Sequence, residues 1–157
     1  MGESYTDYLN LKIKDNLKEK EWIYNIIDHL AESDDIIFED TNVIIIPDYK
    51  WNKDKDDLHI LGIFKDKKLR SIRDLNGSHI EILSLSIQNG INIIKTKYNI
   101  DDLVIYFHYH PSVWQLHVHF MNTKYNSESR LIPRAHLAHI LIQNLKIDTN
   151  YYKKIIL

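Results

Sequence analysis

The sequence predicts an α+β fold: an antiparallel β-sheet with helices packed on it, in a single domain. Three observations predict it. Apolar runs of strand length outnumber the stretches with helical period. Several neighbouring runs are joined by short turns, which suits antiparallel pairing. No internal repeat, low-complexity tract or linker divides the 157 residues, and a chain of that length buries a substantial core.

Residues 1–19 are polar and charged, with Tyr5, Tyr8 and Leu9 as scattered apolar points. They read as an N-terminal arm, or as a strand that needs a partner, ahead of a domain spanning 20–157. From about Glu19 to Ala31, Trp22, Ile23, Ile26, Ile27 and Leu30 recur with helical spacing, and Asp34-Asp35 breaks the pattern. Ile36–Phe38 and Val43–Ile46 read as strands about a turn at Asp40–Asn42. Pro47 ends the second strand because it has no N–H to give to a ladder. A polar loop at 48–57 leads to a strand at Leu58–Phe64. A second helix starts near Asn76 or Ser78 and runs to about Tyr98. Ser78 with Glu81 fits a capping box, and Ile80, Leu83, Ile87, Ile91 and Ile94 make the buried stripe. Strands follow at Leu103–Tyr109 and Leu116–Asn122, then a polar loop at Tyr125–Arg130. Pro133 suits the first turn of a last helix carrying Leu137, Ile140, Leu141 and Leu145, and Tyr151–Leu157 reads as a final strand.

Composition narrows the function classes. The formal net charge of −2 argues against a protein that coats long nucleic acid, which is usually strongly basic. A small nucleotide held by a few local cations remains compatible. The absence of cysteine removes any disulfide framework or cysteine zinc site and suits a soluble intracellular protein. Met1–Tyr5 lacks the basic and apolar pattern of a signal peptide. No apolar run approaches the roughly 20 residues that span a bilayer, so no membrane association is expected.

The densest chemistry lies between His108 and His119. His108, His110, His117 and His119 fall within one hairpin. Strand alternation points Gln115, His117 and His119 to one face and Leu116, Val118 and Phe120 to the apolar other. Three readings compete. The histidines line an ordinary solvated strand face. Or His117 and His119, two apart, bind zinc with His108 or His110, although no carboxylate lies in the cluster. Or a histidine acts as nucleophile on phosphorus, since an imidazole titrating near about pH 6.5 is largely neutral at pH 7.

Gln115-Leu116-His117-Val118-His119-Phe120 resembles the histidine-triad signature, and the wider stretch from Tyr106 to Phe120 resembles its scavenger mRNA decapping branch. Trp22–Asp28, Ala31-Glu32, Ile46–Asn52, Leu69–Leu75 and Arg134–Leu137 match that branch in the same order. The resemblance implies a HIT-like sheet and a hydrolase that cleaves the triphosphate bridge of short m7GpppN caps. It implies that His117 attacks the phosphorus beside 7-methylguanosine, and that the resulting nucleotidyl-histidine is hydrolysed to release m7GMP. His119, His108 and Ser112 match positions that line the phosphate site, and Ser112 also suits a plain turn after Pro111. Arg134 matches a basic position that contacts phosphate or makes a structural ion pair. Trp22 matches a stacking tryptophan, although it also fits an apolar helix stripe. Glu32 matches a carboxylate that accepts from the guanine edge. Asp48 and Lys50 match a pair around the base, and alternation from the preceding strand puts both on one face. His110 has no counterpart and reads as surface, and Trp51 reads as packing. No cofactor and no metal are implied. A homodimer and a cytoplasmic or nuclear location are.

Two departures stand out. Gln115 replaces the first histidine of the triad; its amide can still donate or accept in support of the central one. The family also carries an N-terminal domain that exchanges between subunits and closes over the cap. Residues 1–19 are too few to supply it, so a more open, less selective site is expected. A broader nucleotide or dinucleoside-polyphosphate hydrolase, and a cap-binding module without turnover, are the competing functions.

Overall fold

The computed structural model describes residues 2–13, 20–125 and 134–157. Most of the loop expected at Tyr125–Arg130, the helix start expected at Pro133 and the end of the expected arm therefore lie outside the described residues. Six strands form one antiparallel sheet among these residues, in the order β1-β2-β3-β5-β4-β6. They are β1 (Phe38–Glu39), β2 (Val43–Pro47), β3 (His59–Phe64), β4 (Leu103–His108), β5 (His117–Asn122) and β6 (Ala135–Leu137). This is the α+β architecture that the strand-rich pattern predicts.

The central strands are apolar on successive residues because both sheet faces are covered. Val43, Ile45, Ile60, Phe64, Val118 and Phe120 point into the larger core, under α3 (Ile80–Tyr98) and α4 (Ala138–Ile147). Ile44, Ile46, Leu61 and Ile63 point the other way, onto Ile23, Ile26 and Ile27 of α2 (Glu21–Ile27). The Phe120 ring is clamped between β3 and α3. A Cβ on Gly62 would fall 3.2 Å from it, and one on Gly90 only 2.3 Å. Glycine at 90 is thus what lets α3 close on the sheet. The buried face of α3 runs through Leu83, Ser86, Gly90 and Ile94, with Ile80, Ile87 and Ile91 at its margins.

Several local expectations are corrected. Residues expected as an arm or strand form helix α1 (Tyr5–Ile13). Ser4 and Asp7 cap it reciprocally, with Asp7 N donating to Ser4 Oγ at 3.2 Å and Ser4 N to Asp7 Oδ2 at 2.9 Å. Tyr8 is fully buried beside Tyr109 and Trp114. Helix α2 stops at Ile27 because His29 turns left-handed (φ 57°) and the Leu30 and Ala31 amides fold back onto the Asn25 carbonyl. Leu30, expected in the buried stripe, is exposed. The cap before α3 is Asn76 with His79 rather than Ser78 with Glu81, because a 3-10 turn at Gly77–His79 precedes the helix. Helix α4 begins at Ala138, since the residues before it pair with β4 as β6; Leu137 and Ile140 are exposed while Leu141 and Leu145 are buried. The expected final strand is instead a short helix, α5 (Tyr151–Lys154).

Arg73 explains that last difference. Its fully buried guanidinium donates Nη1 to the carbonyls of Tyr152 and Ile155, both at 2.8 Å. Its Nη2 donates to the Glu3 carbonyl at 2.5 Å. The two ends of the chain also pair directly, Glu3 N to Leu157 O at 2.6 Å and Leu157 N to Glu3 O at 3.1 Å. Arg73→Ala removes the cation 3.4 Å from the Glu3 carboxylate and takes a donor from each of these carbonyls. It should lower the unfolding free energy by about 3–5 kcal/mol. The shift in urea midpoint measures this, and an unchanged midpoint contradicts it.

Candidate active site

A cavity of about 660 Å³ opens on the α2 side of the sheet. Register builds its floor. In the β3–β5 pair Leu61 faces His119 and Ile63 faces His117, and in the β4–β5 pair Tyr106 faces His119. Because Val118 and Phe120 are committed to the core, His117 and His119 project into the cavity. The His119 ring lies flat on Tyr106, centroids 4.9 Å apart and planes 4° from parallel, and 4.4 Å from the His108 ring.

The hydrogen bonds set ring states. His117 Nδ1 is 2.7 Å from the Gln115 carbonyl, which only accepts. That nitrogen therefore carries the proton, and Nε2 holds the lone pair. Burial, the largest cause, holds His117 below the usual imidazole range, outweighing the Gln115 carbonyl that favours the charged form. Burial and the neighbouring His117, His108 and His59 rings hold His119 well below it. Both are neutral at pH 7. His119 Nδ1 is 2.9 Å from His59 Nε2, and its own Nε2 is buried without a hydrogen-bond partner among the described residues.

The other sequence-selected residues mostly converge here. Trp22, Glu32, Asp48, Lys50, His108, Ser112 and Arg134 all line the cavity with His117 and His119. Trp22 lies at the exposed margin of the buried face of α2 and meets Tyr49 edge-on at 6.2 Å; it is therefore not a core residue. Glu32 reaches the cavity from a left-handed backbone position (φ 54°), a conformation that costs a non-glycine residue about 1–2 kcal/mol. Asp48 and Lys50 arrive by a turn rather than by strand alternation, with Trp51 N on Asp48 O at 2.9 Å and Lys50 N on Asp48 Oδ1 at 2.8 Å. Arg134 precedes β6 instead of opening a helix, and donates to the His110 carbonyl at 3.1 Å. His110 itself is outside, paired with Glu3 at 2.7 Å, and Trp51 packs against Tyr98.

Gln115 is not brought to the cavity. It is fully buried, and its amide donates to the Phe64 and Asp66 carbonyls at 2.7 and 3.0 Å. Support for His117 comes from the Gln115 backbone, not from its side chain. Sequence reasoning missed His59, Tyr49 and Tyr125, which also line the cavity. The one signal for His59 is a polar residue opening an apolar strand. Among the described residues no three His, Asp or Glu side chains assemble as a metal-binding group, and no helix is long and apolar enough to cross a membrane.

Sheet order and the paired histidines of β5 define the class, the histidine-triad fold. The structure resembles a HIT family hydrolase from Legionella pneumophila, with a TM-score of 0.54 and 18% identity over 76% of this chain and 98% of that one. It also resembles the aprataxin ortholog Hnt3 from Schizosaccharomyces pombe, with a TM-score of 0.51 and 21% identity over 73% and 61%. Within that class, residues 21–133 match the family described as "Scavenger mRNA decapping enzyme C-term binding", and the chain belongs to it. It is 36% identical to the m7GpppX diphosphatase of Ascaris suum, over 98% of this chain and 54% of that protein. It is 35% identical to the m7GpppX diphosphatase of Homo sapiens, over 98% and 48%. The chain thus spans about half the length of the curated relatives it matches.

The buried imidazoles make stability depend on pH. His59, His117 and His119 bind protons less readily in the fold than in the unfolded chain, where an imidazole titrates near about 6.5. As the pH falls through that value the unfolded state takes up more protons, so stability drops. The urea midpoint should be lower at about pH 5.5 than at about pH 7.5, and His119→Gln should shrink the difference. A midpoint that rises on acidification contradicts the assignment.

Proposed function

We propose that this cavity binds the 7-methylguanosine end of short mRNA caps and hydrolyses the triphosphate bridge. The observation that carries the reading is His117: its proton is fixed on Nδ1 by the Gln115 carbonyl, so a neutral Nε2 lone pair is held in a cavity that also contains an exposed indole and carboxylates. Nε2 attacks the phosphorus next to the methylated nucleoside. The N–P bond forms as the P–O bond to the remaining diphosphate breaks, and water then releases m7GMP. His119, His108, Ser112 and Arg134 donate to the phosphoryl oxygens. Trp22 stacks on the cationic base, and Glu32, with Asp48 and Lys50, holds its edge. The names of the relatives, m7GpppX diphosphatase, support the same substrate. On this reading the unit acts as a homodimer in the cytoplasm or nucleus and requires no metal.

Incubation with m7GpppG, GpppG and an adenine dinucleotide polyphosphate, with chelator present, tests it. Release of m7GMP from the methylated cap alone supports the proposal. Equal cleavage of all three points to a broad polyphosphate hydrolase, and binding without cleavage to a cap-binding module. His117→Ala should abolish turnover while cap binding persists, as measured by fluorescence titration; surviving turnover removes His117 as nucleophile. Trp22→Ala should weaken binding of m7GpppG by about tenfold or more, the usual scale for a lost stacking contact, and weaken GpppG much less. Equal losses for the two caps would sink the stacking role.

A further inference from the structure

We propose that His59 is a positioning residue of this site: it donates Nε2–H to His119 Nδ1 and thereby holds the His119 proton on Nε2, the ring nitrogen left to donate to a phosphoryl oxygen. The inference rests on the proposed function only in taking the ligand to be a polyphosphate. Its geometric basis is independent of that. His59 opens β3, two residues before Leu61, which pairs with His119. The two imidazoles meet edge to edge, with centroids 5.2 Å apart, planes 28° from parallel and His59 Nε2 2.9 Å from His119 Nδ1.

One proton is shared across that contact, and its direction decides what His119 can do. Neutral His119 carries one N–H. If it lies on Nδ1, Nε2 is a bare acceptor, buried without a partner among the described residues. The bridging phosphates of a polyphosphate are fully ionised at pH 7 and offer only acceptors, so a bare Nε2 would repel them. If His59 donates, the His119 proton lies on Nε2, which then has a donor to give once a bound ligand opens access to this buried nitrogen. His119 is kept neutral by burial and by the rings of His117 and His108, so the choice is between tautomers rather than charge states.

Of the described groups around His59, Asp48 alone favours a proton on Nδ1, and it does so without a hydrogen bond. Asp48 Oδ2 is 4.0 Å from His59 Nδ1, too far for a hydrogen bond but close enough to favour positive charge on the ring. Lys50 and His108 oppose that charge, and Tyr125 packs at 6.5 Å. A second proton on His59 would go to Nδ1, toward Asp48, and leave the bond from Nε2 to His119 unchanged.

The test reads the tautomer directly. Long-range ¹H–¹⁵N spectra of histidine-labelled protein distinguish a protonated from a bare ring nitrogen, and the His119 signals are assigned by their loss in His119→Asn. The wild-type protein should show Nε2 protonated and Nδ1 bare, and His59→Phe should convert His119 to a mixture of tautomers. In single-turnover cleavage of m7GpppG, His59→Phe should slow the step at saturating cap by about 10- to 100-fold with little change in half-saturation. His59→Gln keeps an amide donor and should recover most of the loss. A wild-type His119 with its proton on Nδ1, or a His59→Phe variant with unchanged rate, overturns the proposal. A wild-type protein that cleaves no cap refutes the decapping reading instead, and the spectrum still decides the role of His59.

Discussion

Strand β5 is held between two unlike environments, and the rest of the site depends on that constraint. Val118 and Phe120 are fixed in the main core, Phe120 wedged between Gly62 and Gly90. A strand alternates strictly, so the residues between them have one direction left. A slip of one residue would put Phe120 in the cavity and two imidazoles in hydrocarbon, where unpaired polar groups cost several kcal/mol. Packing on one face thus fixes the histidines on the other. The anchoring extends one step upstream: Gln115 ties its amide to the Phe64 and Asp66 carbonyls, which holds its own carbonyl where His117 Nδ1 can donate to it.

How much of the fold is legible in the sequence follows from this. Alternation is local, so the order of residues along β5 is enough to separate its two faces. The long stripe of α3 is legible for the same reason. Elements decided by distant partners are not. Tyr151-Tyr152 and the aliphatic residues after them carry high strand propensity, yet the segment turns helical where Arg73, remote in sequence, takes its carbonyls. Helix α1 lacks an apolar stripe and is held by Tyr8, whose hydroxyl donates to Asp74 at 2.8 Å. Its Ser4–Asp7 cap is the one local mark of a helix start there, and it is weak without a stripe behind it.

The site divides along the same line. Motif resemblance picks out Trp22, Glu32, Asp48, Lys50, His108, Ser112, His117, His119 and Arg134, and the fold gathers all of them around one cavity. Resemblance does not supply the register of β3 on β5, and that register brings His59 to His119. Nor does it show that Gln115 faces backbone rather than ligand. A motif reports which residue types sit at which spacing; the direction in which a buried amide points depends on carbonyls contributed by another strand and the loop after it.

The proposed substrate carries two opposite charges, a cationic base and a polyanionic bridge, and the cavity is built with both kinds of partner. Glu32 and Asp48 supply carboxylates, Arg134 a guanidinium, and His117 and His119 stay neutral through burial. Neutrality is what the proposed nucleophile needs, because a protonated His117 would have no lone pair. It also means that each of these rings carries a single N–H, so the position of that proton decides whether the ring can donate or accept. Asp48 joins the two regions physically. Its Oδ1 holds the turn that presents Tyr49 and Lys50, and its Oδ2 faces His59. A ligand group that displaces Asp48 at the base end therefore changes the field on the Nδ1 side of His59.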